Sequence, residues 1–195
     1  FYEDKNNMYL ITEYCGVDVS NIQDKYGVFP EFLVKYIMYQ VFMAVTFFHS
    51  NKIVHTDIKR ENISFFYRDE KKDKKEIDDF LQKFFEDKEI TEELINSGGL
   101  ETLAVAKELS NFDVKILDFG SAKKRKTANL SGITGTVYYC SPEIVNDKYD
   151  FECDEWACGV MMYILFVAEP PFQGESEEEI FSKILKDEPN FDVEA

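Results

Sequence analysis

The sequence predicts an α+β fold, mainly α, and three observations carry that reading. Apolar residues recur at helical spacing over 31–49, 151–167 and 177–186. Short runs rich in aromatic and β-branched residues stand at 9–14, 63–67 and 114–117, each beside a turn or loop signal. No internal repeat and no long alternating run marks a sandwich or barrel, so the strands are few, short and set around loops.

Taken in order, Tyr9-Leu10-Ile11-Thr12-Glu13-Tyr14 reads as a strand, and Gly16 with the polar stretch after it as a loop. Pro30 opens a helix, because its fixed φ and missing N–H suit a first turn. Phe32, Leu33, Tyr36, Ile37, Val41, Ala44, Phe47 and Phe48 line its apolar face to about His49. Strands follow at 63–67 and 114–117. Between them lies a charged segment, 68–111, opening on Arg68-Asp69-Glu70-Lys71-Lys72-Asp73-Lys74-Lys75. Ile77, Phe80, Leu81, Phe84 and Phe85 predict an amphipathic helix within it, with shorter helices over 91–95 and 100–109. The stretch 151–167 is apolar nearly all round and predicts a buried helix stopped by Pro170-Pro171. Residues 177–186 predict a last amphipathic helix, ended by Pro189.

Composition bounds the function. With 38 acidic against 22 basic residues the formal net charge is −16, which disfavours nucleic acids and anionic membranes and favours basic partners. The four cysteines (Cys15, Cys140, Cys153, Cys158) form no C-x-x-C pair and point to reduced thiols in a cytoplasmic protein. The most apolar run, 157–168, is shorter than the roughly 20 residues that span a bilayer, so no membrane span is expected. The chain starts at Phe1 on a strand and stops at Ala195 soon after a helix, and both ends read as cut.

Chemistry concentrates in two places. In His55-Thr56-Asp57-Ile58-Lys59-Arg60-Glu61-Asn62 a carboxylate, a Lys two residues on and an Asn five residues on share a loop between helix and strand. Such a carboxylate orients a hydroxyl and accepts its proton, and the Lys offsets charge on a moving phosphoryl group. The Asn supplies an oxygen ligand for Mg²⁺. Asp118-Phe119-Gly120 follows the strand Val114-Lys115-Ile116-Leu117, where a carboxylate at a strand end beside a turn-permitting Gly makes a second Mg²⁺ ligand.

These motifs, in this order, resemble the eukaryotic Ser/Thr protein kinases. Gly135-Thr136-Val137-Tyr138-Tyr139-Cys140-Ser141-Pro142-Glu143 is similar to the substrate-binding end of their activation segment. Asp154-Glu155-Trp156-Ala157-Cys158-Gly159 resembles the helix whose Asp braces the catalytic loop. The subgroup it looks most like is the calcium/calmodulin-regulated and calcium-dependent kinases, through 149–156 and Pro170-Pro171-Phe172-Gln173-Gly174. The resemblance implies a kinase C-terminal lobe with the last N-lobe strand and hinge (1–15), the N-lobe being largely absent. Helices and the catalytic loop would fill 16–67, a charged insertion 68–111, the Asp-Phe-Gly turn and activation segment 112–145, and truncated C-lobe helices 146–195. It implies ATP and Mg²⁺ as cofactors, Asp57 as catalytic base and Lys59 as the γ-phosphate contact. Asn62 and Asp118 would hold the metal. Thr12 would be the gatekeeper, and the backbones of Glu13 and Cys15 would meet adenine. Glu61, Thr136 and Asp18 would face a protein substrate, the two acids meeting basic residues near its phosphosite. Asp18 stands one residue early for that role.

The sequence also departs from the family. Thr56 replaces the Arg that pairs with an activation-segment phosphate, and Gly132 occupies the usual phosphosite, so phosphorylation there is not expected to be the main switch. The segment 68–111 is expected either to loop out as a surface insertion or to dock a partner through Phe80, Phe84 and Phe85. The Gly-rich loop, the strand Lys and its partner Glu are expected upstream of Phe1, and the Arg that pairs with Glu143 beyond Ala195. The resulting expectation is a fragment of a larger active kinase; the alternative is a non-catalytic pseudokinase or truncated docking module.

Overall fold

The computed structural model describes residues 1–68, 82, 85, 109–126 and 129–192. The described residues form seven short strands and five α-helices. Strands β1 (Tyr2–Glu3) and β2 (Met8–Tyr9) pair antiparallel as an exposed hairpin. The strand expected over 9–14 therefore ends at Tyr9: pairing runs only as far as the neighbour at 2–3 reaches, and 10–15 continue as irregular backbone.

The expected loop after Gly16 is instead a strand and a helix. Strand β3 (Val17–Asp18) leads into helix α1 (Val19–Tyr26), whose Asp18 cap accepts from the Asn21 amide. Val19 and Ile22 bury the apolar side of this polar helix. Gly16 is required where it stands, since a Cβ there would lie 1.9 Å from the carbonyl oxygen of Phe65.

Helix α2 (Glu31–Ser50) is capped by Pro30, and its Phe32, Leu33, Val34, Ile37, Met38, Val41 and Val45 form one wall of the main core. By length and composition alone it is apolar enough to cross a membrane, with 20 residues and mean hydropathy 1.3. Here its apolar face packs on the strand Phe112–Ile116 and on the helix Glu152–Val167. Strand β4 (Ile53–Val54) then precedes the loop 55–62, and β5 (Ile63–Tyr67) follows it. Strand β6 (Phe112–Ile116) pairs antiparallel with β5 in the register Ile63↔Ile116 to Tyr67↔Phe112, giving a sheet of order β3-β5-β6. Strand β7 (Lys123–Lys124) returns to pair with β4.

The ends of the segment 68–111 meet. The Arg68 amide donates to the Asn111 carbonyl (2.9 Å), and the Arg68 guanidinium pairs with Asp113 at 2.6 Å. The helices expected inside this segment lie outside the described residues apart from Gln82, Phe85 and Leu109, all three helical. Phe85 is not left free for a partner: it stacks on Tyr26 (4.6 Å between centroids, 7° between planes) and packs against Phe29 and the core.

The remaining helices are α3 (Pro142–Val145), α4 (Glu152–Val167) and α5 (Glu177–Lys186). Helix α4 is central, burying Cys153, Asp154, Ala157, Cys158, Val160, Met161, Ile164 and Leu165. Helix α5 has a Ser176 cap, three glutamates in its first turn and two lysines in its last, complementing its dipole. Its Ile180 and Ile184 close a small core on Phe172.

Candidate active site

The loop 55–62 leaves β4, and its path is set by a carboxylate from another helix. Asp154, fully buried in the first turn of α4, accepts from the His55 amide through Oδ2 and from the Thr56 amide through Oδ1, each at 2.8 Å. His49 Nε2 lies 2.9 Å from the same Oδ2. These contacts hold Thr56 at φ +66, a conformation disfavoured for a β-branched residue.

His55 links this loop to the next strand. The Asp57 amide donates to its Nδ1 (3.3 Å), so the ring proton sits on Nε2, which donates to the Leu117 carbonyl (3.0 Å). Leu117 immediately precedes Asp118. The Leu117 amide in turn donates to the Asn62 carbonyl (2.8 Å). Thr56, where the resemblance leads one to expect Arg, donates its hydroxyl to the Ser121 carbonyl (2.9 Å), just past the Asp-Phe-Gly turn. Phe119 packs edge-on against His55 (4.9 Å) and Phe48 (5.2 Å).

The polar side chains expected to act together do meet. Thr136 donates to Asp57 Oδ1 (3.0 Å) while accepting from Lys59 Nζ (2.8 Å). Lys59 Nζ also lies 3.0 Å from Asp57 Oδ2. Asn62 Nδ2 donates to the Asp57 carbonyl (2.9 Å) and to its Oδ2 (3.2 Å). Both carboxylate oxygens are thus fixed, and the Asn62 amide is turned so that its own oxygen faces away from Asp57.

Asp118 sits exposed at the end of β6 at φ +58, its Oδ1 accepting from the Gly120 amide (3.0 Å). Among the described residues no group of three or more His, Cys, Asp and Glu forms a metal cluster. The pair Asn62 and Asp118, two hard oxygen donors, suits Mg²⁺, which takes few protein ligands and completes its shell with water and phosphate oxygens.

In the stretch 10–15, Thr12 Oγ1 donates to the Glu13 carbonyl (3.3 Å), and the Cys15 carbonyl accepts from Ser64 Oγ. The Glu13 carboxylate pairs with Lys115. Asp18 is occupied as the α1 cap. Partial burial works against its charge, yet hydrogen bonds from Ser20 and Asn21 hold its carboxyl below the usual range. Glu61 is half-exposed on the one-turn 3₁₀ helix Arg60–Asn62. Beside it Tyr139 is buried, and burial, reinforced by the Glu61 charge, pushes its phenol upward.

The sequence reading missed two cations, Lys123 and Arg125, that tie the stretch after Asp118 to Tyr149 and Asp150. Lys123 Nζ donates to the Ser131 carbonyl (2.9 Å) and to the Tyr149 hydroxyl, which donates to the Gly132 carbonyl (3.2 Å). Arg125 forms a two-pronged pair with Asp150, Nε and Nη2 lying 2.8 and 2.6 Å from its Oδ2. Glu143 is half-buried, and none of the ion pairs among the described residues includes it.

Comparison with known proteins agrees with this geometry. The family model for the protein kinase domain matches residues 1–95 and 103–194. Calcium-dependent protein kinase 5 of Plasmodium falciparum (isolate 3D7) is 35% identical over 193 residues, covering 98% of this chain and 27% of the relative. Calcium-dependent protein kinase 6 of Plasmodium berghei (strain Anka) is 32% identical over 193 residues, covering 97% and 10%. CDPK-related kinase 4 of Arabidopsis thaliana is 30% identical over 194 residues, covering 98% and 26%. The chain thus spans about a quarter or less of the length of these relatives. With a family model matching nearly all of it and an Asp57–Lys59–Asn62 cluster beside the Asp118 turn, the chain belongs to the protein kinase domain family.

Proposed function

We propose that this chain is the catalytic-loop half of an ATP- and Mg²⁺-dependent protein kinase that phosphorylates Ser and Thr hydroxyls of proteins. The observation that carries the reading is the closed set of contacts among Asp57, Lys59, Thr136 and Asn62. In it Asp57 orients the incoming hydroxyl and takes its proton, while Lys59 is placed to neutralise negative charge on the transferred group. Thr136 holds both side chains in register and, with Glu61, borders the peptide. Asn62 and Asp118 would hold Mg²⁺, which supplies charge neutralisation for the phosphates. Thr12 and the backbones of Glu13 and Cys15 would border adenine; with the Cys15 carbonyl engaged by Ser64, its amide remains for that contact.

The activity is proposed for a longer protein in which a further lobe covers the nucleotide. Its relatives' names extend to calcium control, proposed here for the full-length protein and read by activity with and without a calcium chelator. A cytoplasmic location is proposed on the four free thiols.

The deciding experiment is γ-phosphoryl transfer to a Ser/Thr peptide mixture by the full-length protein. Asp57→Asn should lower kcat by about 10²–10⁴ with nucleotide binding retained, the usual weight of a general base. Asp118→Asn should weaken Mg·ATP binding. Nucleotide-independent behaviour, unchanged by either substitution, would favour a non-catalytic docking module.

A further inference from the structure

Arg60 carries an inference about substrate choice, one that rests on the kinase reading above. Its guanidinium is held from three sides. Nη1 pairs with Asp24 at 2.8 Å and donates to Gln23 Oε1 at 3.2 Å, and Nε lies 3.6 Å from Glu61 Oε1. Gln23 is itself buried and anchored, donating through Nε2 to the Ile164 carbonyl at 2.6 Å. The Arg60 side chain is 23% exposed, against 46% for Glu61 and 64% for Asp24. The cation is thus the sheltered member of the group and the two acids its outer partners.

This group stands where a substrate chain must pass. Arg60 and Glu61 are the third and fourth residues after Asp57, and Glu61 and Asp57 both act electrostatically on Tyr139. A hydroxyl held at Asp57 brings its peptide neighbours within about 7–10 Å for two or three extended residues. On a chain of net charge −16, a free Glu61 at that rim would draw an Arg or Lys of the peptide. Here a positive charge of the protein already occupies that position. An incoming cation must either meet a neutralised carboxylate or displace Arg60 from Gln23 and Asp24.

We propose that Arg60 is a specificity-determining residue, a resident cation that masks Glu61 and Asp24 and removes the rim's preference for basic residues in the protein substrate. The favoured peptides carry neutral residues on this side of the phosphorylated hydroxyl.

The test uses the full-length protein and two Ser peptides differing only in Arg or Gln at the three positions before the Ser. Binding is read by fluorescence anisotropy and transfer by kcat/KM. The wild type should show an Arg-to-Gln preference near one. Arg60→Ala should raise it about two- to fivefold, the range for one solvent-screened charge pair. Adding Glu61→Gln should abolish the gain. If thermal melting shows Arg60→Ala to be unfolded, Arg60→Gln removes the charge while keeping a donor for Gln23.

A wild-type preference for Arg above about fivefold, or a ratio unmoved by Arg60 substitution, overturns the proposal, as does failure of both peptides to bind wild type and variant. Binding is read without turnover, so the two readings separate. A shifted binding ratio without transfer sinks the kinase activity alone; transfer with an unshifted ratio sinks the role of Arg60 alone.

Discussion

A Cβ at position 135 would lie 2.6 Å from the carbonyl oxygen of Thr56, and Gly135 holds φ +85. The stretch carrying Gly135 therefore crosses the loop 55–62 at a point where only glycine fits. This crossing delivers the next residue, Thr136, to Asp57 and Lys59. Gly135→Ala should cost about 1–3 kcal/mol through clash and backbone strain, lowering Tm by roughly 2–12 °C. It should also lower kcat at least tenfold in the full-length protein by displacing Thr136. Wild-type melting and turnover would refute the close approach.

Order over residues 123–126 and 129–134 rests largely on protein charges. Lys123, Tyr149 and Asp147 hold Ser131 and Gly132, Arg125 grips Asp150, and Thr56 supplies no cation for a phosphate. Ser131→Ala and Thr134→Ala should each change full-length activity by less than about twofold, because the clamp uses the Ser131 carbonyl and neither hydroxyl. Lys123→Met should speed proteolysis near 130–134. Activity that tracked negative charge at 131 or 134 would contradict this. Thr127, the third hydroxyl of the segment, lies outside the described residues.

Asp154 is buried and satisfied only as an acceptor. Asp154→Asn turns an amide donor against the backbone donors of His55 or Thr56. The expected loss is about 2–4 kcal/mol, as for a buried charged network losing one member. It is read as a lower urea midpoint at unchanged slope. A midpoint equal to wild type would mean the loop is braced otherwise.

The thiols give a pH signature. Burial pushes Cys140 up to about 11 and Cys158 up to about 12, with nearby carboxylates adding to both. Cys153 is raised as well, by burial first and Asp154 next. Because these folded values exceed the unfolded value near 9, their contribution is complete below pH 9 and falls as pH rises through 11 to 12. At pH 8 a thiol-directed alkylator should label Cys15, the one partly exposed cysteine, and spare the other three until denaturant is added. Stoichiometric labelling of four sites in the native protein would be inconsistent with this core.

Much of this was legible in the sequence. The long apolar period of α2, the apolar α4 and the capped amphipathic α5 settle near their expected limits because one face of each is buried, although α4, expected to be buried all round, keeps Glu155, Gly159 and Met162 exposed. The register of β5 on β6 brings the loop carrying Asp57 and Asn62 beside the turn carrying Asp118, across the whole segment 68–111. Helix α1 was not legible as such: Ser20, Asn21 and Asp24 are poor helix formers, and only Val19, Ile22 and Tyr26 keep the period. The Asp18 cap ahead of that spacing was the signal available. The two-residue strands β4 and β7, the His55 bridge and the guanidinium of Arg60 depend on tertiary neighbours that local pattern does not encode.

The meeting of Arg68 with Asn111 has a practical reach. Two chain ends held 2.9 Å apart at the tip of a paired ladder form a splice point. A foreign domain whose own termini lie side by side can be grafted there without spreading β5 from β6; put in place of 69–110 it removes the Phe85 stack on Tyr26 and the buried Leu109, so the graft should lower Tm while keeping Asn62 beside the Asp118 turn.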